Sequence, residues 1–362
     1  MNINESVLIV GGYGVVGQQI AIHTRERHPN LPILLAGRSP KKGEQLASEL
    51  KHASTLTIDL NDPRPLQQLL KKGKPRAVIA AVNDPEDYLL NDSLTAGIPF
   101  LDITRWTSKM KSAIATINNR KLTAPVILSS SWMSGVAAIV SANLASELST
   151  IDSIDIDILY SLKDKAGPNS VKYMDRLAQP FAITRDGKAT TASPLSTSKK
   201  VTFPGGYSSK TFLFDTPDQF TLPLTVKAAS VNSRITFNCA LSTYSLVALI
   251  RLGIWKLISG EKFTWLRRKI LYNPGKGDSH EIIIEVNGKD SNGNRKQLNA
   301  SIVDPKGQTH LTSIGAVIQL ERILGLNGYP APDNRLIFPE TTPLLKTALK
   351  TLNDFNVEVC FS

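Results

Sequence analysis

VLIVGGYGVVGQQIA, residues 7–21, is the stretch on which the fold turns. An apolar run stops at a glycine-rich turn, and apolar residues then return at helical spacing. Residues 6–10 read as a buried strand, and Val15 to His28 as a helix ending near the PNLP turn. Gly12, Gly14 and Gly17 fit G-x-G-x-x-G. In that pattern the first glycine allows a tight turn and the second lets a pyrophosphate approach the backbone. The third lets the helix pack closely on the strand. Amides at the helix start then face the phosphates, with the helix dipole in their favour. Alone, the motif also suits a bare strand-to-helix turn. Its place after a strand, before a helix and at the head of a βα series favours a nucleotide site.

That series continues. ILLA at 33–36, TLTI at 55–58, AVIAAV at 77–82, PFLDI at 99–103 and PVILS at 125–129 read as short strands between helices. Such alternation predicts an α/β, Rossmann-type parallel sheet covered on both faces. Near residue 150 the pattern changes. IDSIDIDILYS (151–161) alternates Ile and Asp, as in a sheet with one wet face. HEIIIEVNG (280–288) and LNASIVD (298–304) predict an antiparallel pair, 313–326 an amphipathic helix, Pro343–Asn353 a last helix and NVEVCF a final strand. The expected division is a Rossmann domain at 1–130, an α+β substrate and dimerisation domain at 131–330, and a segment at 331–362 that packs back on the first domain.

The 362 residues carry a net charge of +11. The basic residues are spread along the chain without a nucleic-acid module, so an anionic small ligand or an anionic membrane surface is the favoured partner. Two distant cysteines and scattered histidines make no disulfide or metal pattern, and MNINES lacks the basic region of a secretory signal. A cytoplasmic enzyme, with a homodimer as the default assembly, is the expectation.

The second strand bears on the cofactor. Dinucleotide folds often place an acid there for the ribose of NAD. AGRSP offers Arg38 and Ser39 instead, a guanidinium and a hydroxyl suited to a 2′-phosphate, so NADP is preferred. Asp59 suits either the adenine amino group or a helix cap. Asn83 suits either the cofactor groove or a turn.

Read in order, GGYGVVG, AGRSP, DLND, AAVNDPEDY and FLDITRWTS resemble the saccharopine dehydrogenase-like NADP-binding family over residues 5–145. SWMSGVAAIVSANLA (131–145) and YNPGKGDSHE (272–281) are similar to its linking helix and late hairpin, including members of the trans-acting enoyl reductase type. The resemblance implies a nicotinamide oxidoreductase with its cleft between the domains, passing hydride to or from C=N or C=C. It implies cofactor contacts at Gly12, Tyr13, Gly14, Val15, Val16, Gly17, Gly37, Arg38, Ser39, Asp59, Leu60, Ala81, Val82 and Asn83. Thr104 and Arg105 would lie near the nicotinamide.

Arg105 suits a substrate carboxylate, or equally a salt bridge to Asp102. In LYSLKDKAGPNSVKYMDR (159–176), Lys163 and Tyr173 are candidate proton donors. His280 and His310 read as strand-edge residues. The apolar, basic stretch 241–270 is interrupted by Arg251 and Lys256 and is no clean membrane span. Burial in the second domain or a dimer interface is favoured over lying on anionic lipid. Three functions compete: saccharopine-type chemistry on an imine-forming amino acid conjugate, an enoyl or lipid C=C reductase, and a non-catalytic NADP sensor. The length of the second domain weighs against the sensor.

Overall fold

The computed structural model describes residues 2–130, 132–165, 176–177, 179–258, 261–263, 265–266 and 275–362. Strands β1 (Val7–Val10), β2 (Ile33–Gly37), β3 (Ala53–Thr57), β4 (Ala77–Ala80), β5 (Phe100–Arg105) and β6 (Val126–Ser130) alternate with helices α1 (Val15–Arg27), α2 (Glu44–Leu50), α3 (Gln67–Leu70), α4 (Tyr88–Ala96) and α5 (Thr107–Asn118). They form one parallel sheet in the order β6-β5-β4-β1-β2-β3, extended beyond β6 by Leu336–Ile337. Every residue of β1 and β4 is buried, which is why these strands read as unbroken apolar runs. Strand order reverses between β1 and β4, and such a reversal opens a crevice at the carboxyl edge of the sheet.

A short 3-10 turn, Met133–Gly135, leads into α6 (Val136–Ala145), whose apolar side chains enter the second core. The second sheet is built from β7 (Thr150–Tyr160), β10 (Ser198–Thr202), β11 (Ser208–Leu213), β12 (Ser230–Phe237), β13 (His280–Lys289) and β14 (Arg295–Asp304). A separate hairpin joins β8 (Phe181–Arg185) to β9 (Lys188–Ala192). The Ile/Asp alternation of β7 sorts its side chains onto two faces as the sequence predicts, but the second face is not wet: Asp157 is only 1% exposed. Ile154, Ile156 and Ile158 lie in the core, while Asp155 and Asp157 meet Lys199 and Arg234 on the other face. The predicted pair at 280–304 is present as β13 and β14. Helices α7 (Asp218–Thr225), α8 (Ala240–Arg251), α9 (Ile254–Leu257), α10 (Gln308–Leu324) and α11 (Leu345–Asp354) complete the described chain.

Two further expectations need correction. Helix α10 is not amphipathic in the ordinary sense, because it is buried from Gln308 to Ile323. Ala316, Leu320 and Ile323 belong to the first domain's core, and Leu311, Ile314 and Ile318 to the second's. The segment 331–362 is divided. Leu336–Ile337, here β15, joins the first sheet, whereas β16 (Glu358–Phe361) pairs with β14 and covers the edge of the second sheet. Within the single chain, the stretch after residue 240 is buried on one side only, which leaves both a dimer interface and a lipid surface open for the other side. Leu246, Val247 and Trp255 face inward, while Leu241, Leu252 and Leu257 are exposed.

Candidate functional site

Contact distances explain the glycines at the head of α1. The left-handed turn falls on Gly11 (φ +85), one residue before the motif. A Cβ on Gly12 would stand 2.8 Å from the Ile9 carbonyl oxygen, and one on Gly17 2.1 Å from that of Gly11. The helix therefore starts as close to β1 as the backbone permits. Gly14, exposed, is its N-cap and supplies no side-chain acceptor. The amides of Val15, Val16 and Gly17 have no intrahelical acceptor and point outward from the positive end of a 13-residue helix. The Gly11 turn abuts the end of β4, where a Cβ on Gly11 would lie 3.0 Å from Val82 Cβ. Residues 11–17 and 81–83 thus share the crevice between β1 and β4.

The loop after β2 is tied to the same turn. The Ser39 amide donates to the Tyr13 hydroxyl at 3.0 Å. The Tyr13 ring fills the space that a Cβ on Gly37 or Gly43 would need. Arg38, Ser39, Lys41 and Lys42 are exposed there, and no carboxylate occurs from Ala36 to Gly43. The loop offers three cations and a hydroxyl to an anion. Asp59 is exposed beside half-buried Leu60, and its carboxylate accepts from the Asn61 amide at 3.0 Å, closing a turn. Asn83 is half-buried. Its neighbour Asp84 caps α4, accepting from the Tyr88 and Leu89 amides at 3.2 and 2.8 Å.

At the end of β5 the Arg105 guanidinium bridges two carboxylates. Its Nη2 meets Asp102 and its Nη1 meets Asp87, both at 2.8 Å, with 3% of the side chain exposed. Of the two roles open in the sequence, the salt bridge to Asp102 is the one formed. Asp102 also accepts from the Thr104 amide and hydroxyl, each at 2.8 Å. Thr104 and Arg105 are therefore held by one buried acid.

The second domain meets this edge through residues that the sequence reading passed over. Thr107 donates to Asp215 at 2.5 Å, and Asp218 hydrogen-bonds Ser130 at the end of β6. Burial, and then the nearby Glu340 carboxylate, push Asp218 up to about 7, and burial also raises Asp215. Trp132 packs edge-on against Phe214 and Tyr160, at 4.9 and 6.2 Å between ring centroids. Arg176 stacks over Trp106 at 4.9 Å and donates to Ser108. Between these contacts the backbone is strained: Met133, Ser134 and Gly135 all have positive φ (54, 46 and 80). Each left-handed non-glycine residue costs roughly 1–3 kcal/mol, and such strain gathers at functional sites. The local hint to Asp215 and Asp218 was FLFDTPDQF, an apolar run ending in two acids around a proline at a helix start.

Lys163 is exposed on the turn after β7. Its carbonyl accepts from the Gly277 amide at 3.2 Å, and a Cβ on Gly275 would lie 1.6 Å from that oxygen. The Gly275–Gly277 segment therefore braces this turn. Tyr173 lies outside the described residues. His280 is fully buried at the start of β13 and pulled down to about 3 by desolvation, which makes it a neutral core residue whose Nε2 lies 3.3 Å from Met133 Sδ. His310 stands on α10 rather than on a strand, its Nδ1 2.8 Å from Asp304.

The first sheet and its glycine turn define a Rossmann dinucleotide-binding fold. The two-domain arrangement is similar to that of saccharopine dehydrogenase (L-Glu forming) from Saccharomyces cerevisiae, with a TM-score of 0.68, 12% identity, and 99% of this chain and 100% of that one covered. It is also similar to homospermidine synthase from Legionella pneumophila, solved with NAD, with a TM-score of 0.65, 11% identity and 99% and 91% coverage. No protein-family model and no curated protein matches the chain.

Proposed function

We propose that the chain is an NADP-dependent oxidoreductase of saccharopine dehydrogenase type. It transfers hydride to or from the C=N bond of an imine-forming amino acid conjugate, in a cleft between domains divided near residue 130. The observation that carries this is the glycine turn at the β1/β4 reversal beside a basic, acid-free loop after β2. NADP, when bound, supplies the hydride chemistry. The amides of Val15–Gly17 hold its diphosphate. Arg38 and Ser39 take the 2′-phosphate, with Gly37 and Tyr13 shaping that loop. Asp59 and Leu60 lie toward the adenine, and Ala81, Val82 and Asn83 line the groove. Arg105 positions Asp102 and Thr104 at the nicotinamide end. Lys163 and Tyr173 are the candidate proton donors. Tyr160, which ends β7, lies beside Trp132, and Arg176 lies over Trp106. The assembly is a cytoplasmic homodimer acting on a small molecule.

The test is calorimetry with NADPH and NADH. Arg38→Ala lowers the NADPH:NADH affinity ratio at least about tenfold, the loss of one charge-assisted phosphate contact. An unchanged ratio removes the 2′-phosphate assignment. Absence of binding by the parent protein removes the oxidoreductase reading.

A further inference from the structure

Among the described residues nine large hydrophobic side chains are exposed, and seven of them fall between residues 241 and 265. The concentration decides that this is one feature rather than scatter. Leu241, Tyr244 and Ala248 on α8, and Leu252 at its C-cap, follow one another at helical spacing along the outward face. The inward face carries Thr243, Leu246 and Val247. On α9, buried Trp255 anchors the turn while Ile254 and Leu257 stay outside, and Phe263 and Trp265 extend the exposed set. Surface helices elsewhere in the chain behave differently. The outward positions of α11 are Lys346, Lys350, Asn353 and Asp354.

The face is not the mouth of a ligand chamber. Behind α8, between Leu246, Val247, Phe212 and Phe237, the void measures about 10 Å³, no more than one water needs. The charges around the face choose its occupant. Arg251, Lys256 and Lys262 are exposed among the apolar residues, and Glu261 is the one acid in the sequence from 240 to 265. Two copies of such a face would oppose like charges. An anionic bilayer presents the opposite charge and an apolar layer beneath it.

We propose that α8 and α9 dock the protein on an anionic membrane surface, with Leu241, Leu252, Leu257 and Trp265 entering the headgroup–acyl boundary and Lys262 pairing with lipid phosphates. The docking is peripheral, since no helix among the described residues is long and apolar enough to cross a membrane. It does not depend on the oxidoreductase reading.

The experiment is density-gradient flotation of the full chain with phosphatidylcholine vesicles and with vesicles that also contain phosphatidylglycerol, with light scattering in parallel. The protein floats with the anionic vesicles and not with the zwitterionic ones. Leu252→Ser/Leu257→Ser, at positions 73% and 76% exposed, abolishes flotation with an unchanged melting temperature and unchanged NADPH affinity. Lys262→Gln weakens vesicle binding about fivefold. Absence of flotation, or equal flotation with both vesicles, overturns the proposal. So does conversion of a parent dimer to a monomer by the leucine substitutions, which assigns the face to a second copy.

Discussion

Asp218→Asn should make this protein more stable at neutral pH, although it alters a side chain that is only 3% exposed at the domain contact. In the unfolded chain the Asp218 carboxyl gives up its proton near 3.8; in the folded protein it keeps it until about 7. Between those values the unfolded chain binds fewer protons, so stability falls as pH rises. Below the lower value the group costs nothing. Above the upper one the full penalty applies, and a displacement of that size corresponds to about 4 kcal/mol. Asparagine keeps the shape of the neutral acid and a donor for Ser130 or Thr216, but never ionises. The variant should match the parent at the acid end, gain through the window and level off about 4 kcal/mol more stable above it. Urea unfolding of both proteins at a series of pH values measures the difference directly, in which groups not coupled to Asp218 cancel and only Glu340 beside it adds its own response. Parallel stability curves, or an asparagine variant less stable at the alkaline end, would refute the reasoning. Either would mean that Asp218 is ionised and paired in the fold.

Gly17→Ala places a Cβ 2.1 Å from the Gly11 carbonyl oxygen, so the start of α1 must retreat by about 1 Å, at roughly 1–3 kcal/mol. A lower melting temperature and more than tenfold weaker NADPH binding are expected; parental affinity by calorimetry would show that the amides of α1 do not hold the diphosphate. Glu321, fully buried, receives Arg27 at 2.6 Å and lies 2.9 Å from His28 Nε2. Burial opposes its ionisation, but these partners prevail and hold its pKa below the usual value. Its stabilisation is therefore present at neutral pH and lost as pH falls through that depressed pKa. Glu321→Gln should cost about 3 kcal/mol at neutral pH and progressively less toward acid, as read by denaturant titration.

What the sequence disclosed follows from the range of each interaction. The strands, the glycine turn and the basic loop after β2 are local patterns, each set within a few residues, and they were legible. Asp215 and Thr107 are 108 positions apart, and nothing near either one names the other. The stretch from 240 carries apolar residues on both faces of α8, a pattern that reads as burial whatever lies outside it. Helix α10 misled in the opposite sense. Its polar positions promise a wet face, yet the dry environment supplies partners: Asp304 for His310, His23 for Ser313, Arg27 for Glu321, and the carbonyls of Phe338 and Thr341 for Arg322. These are cross-element contacts that periodicity cannot reveal.

The same helix ties the two sheets together. One face of α10 completes the first core and another completes the second, and Gly315 fits where a Cβ would stand 2.6 Å from the Met133 carbonyl oxygen. The domains therefore cannot slide past one another along α10 without opening both cores. Met133 follows Trp132 directly and is three residues from Ser130, so the helix that joins the cores also presses on the strained turn at the carboxyl edge. Asp215 and Asp218, carried by the second domain, are held in register with Thr107 and Ser130 of the first.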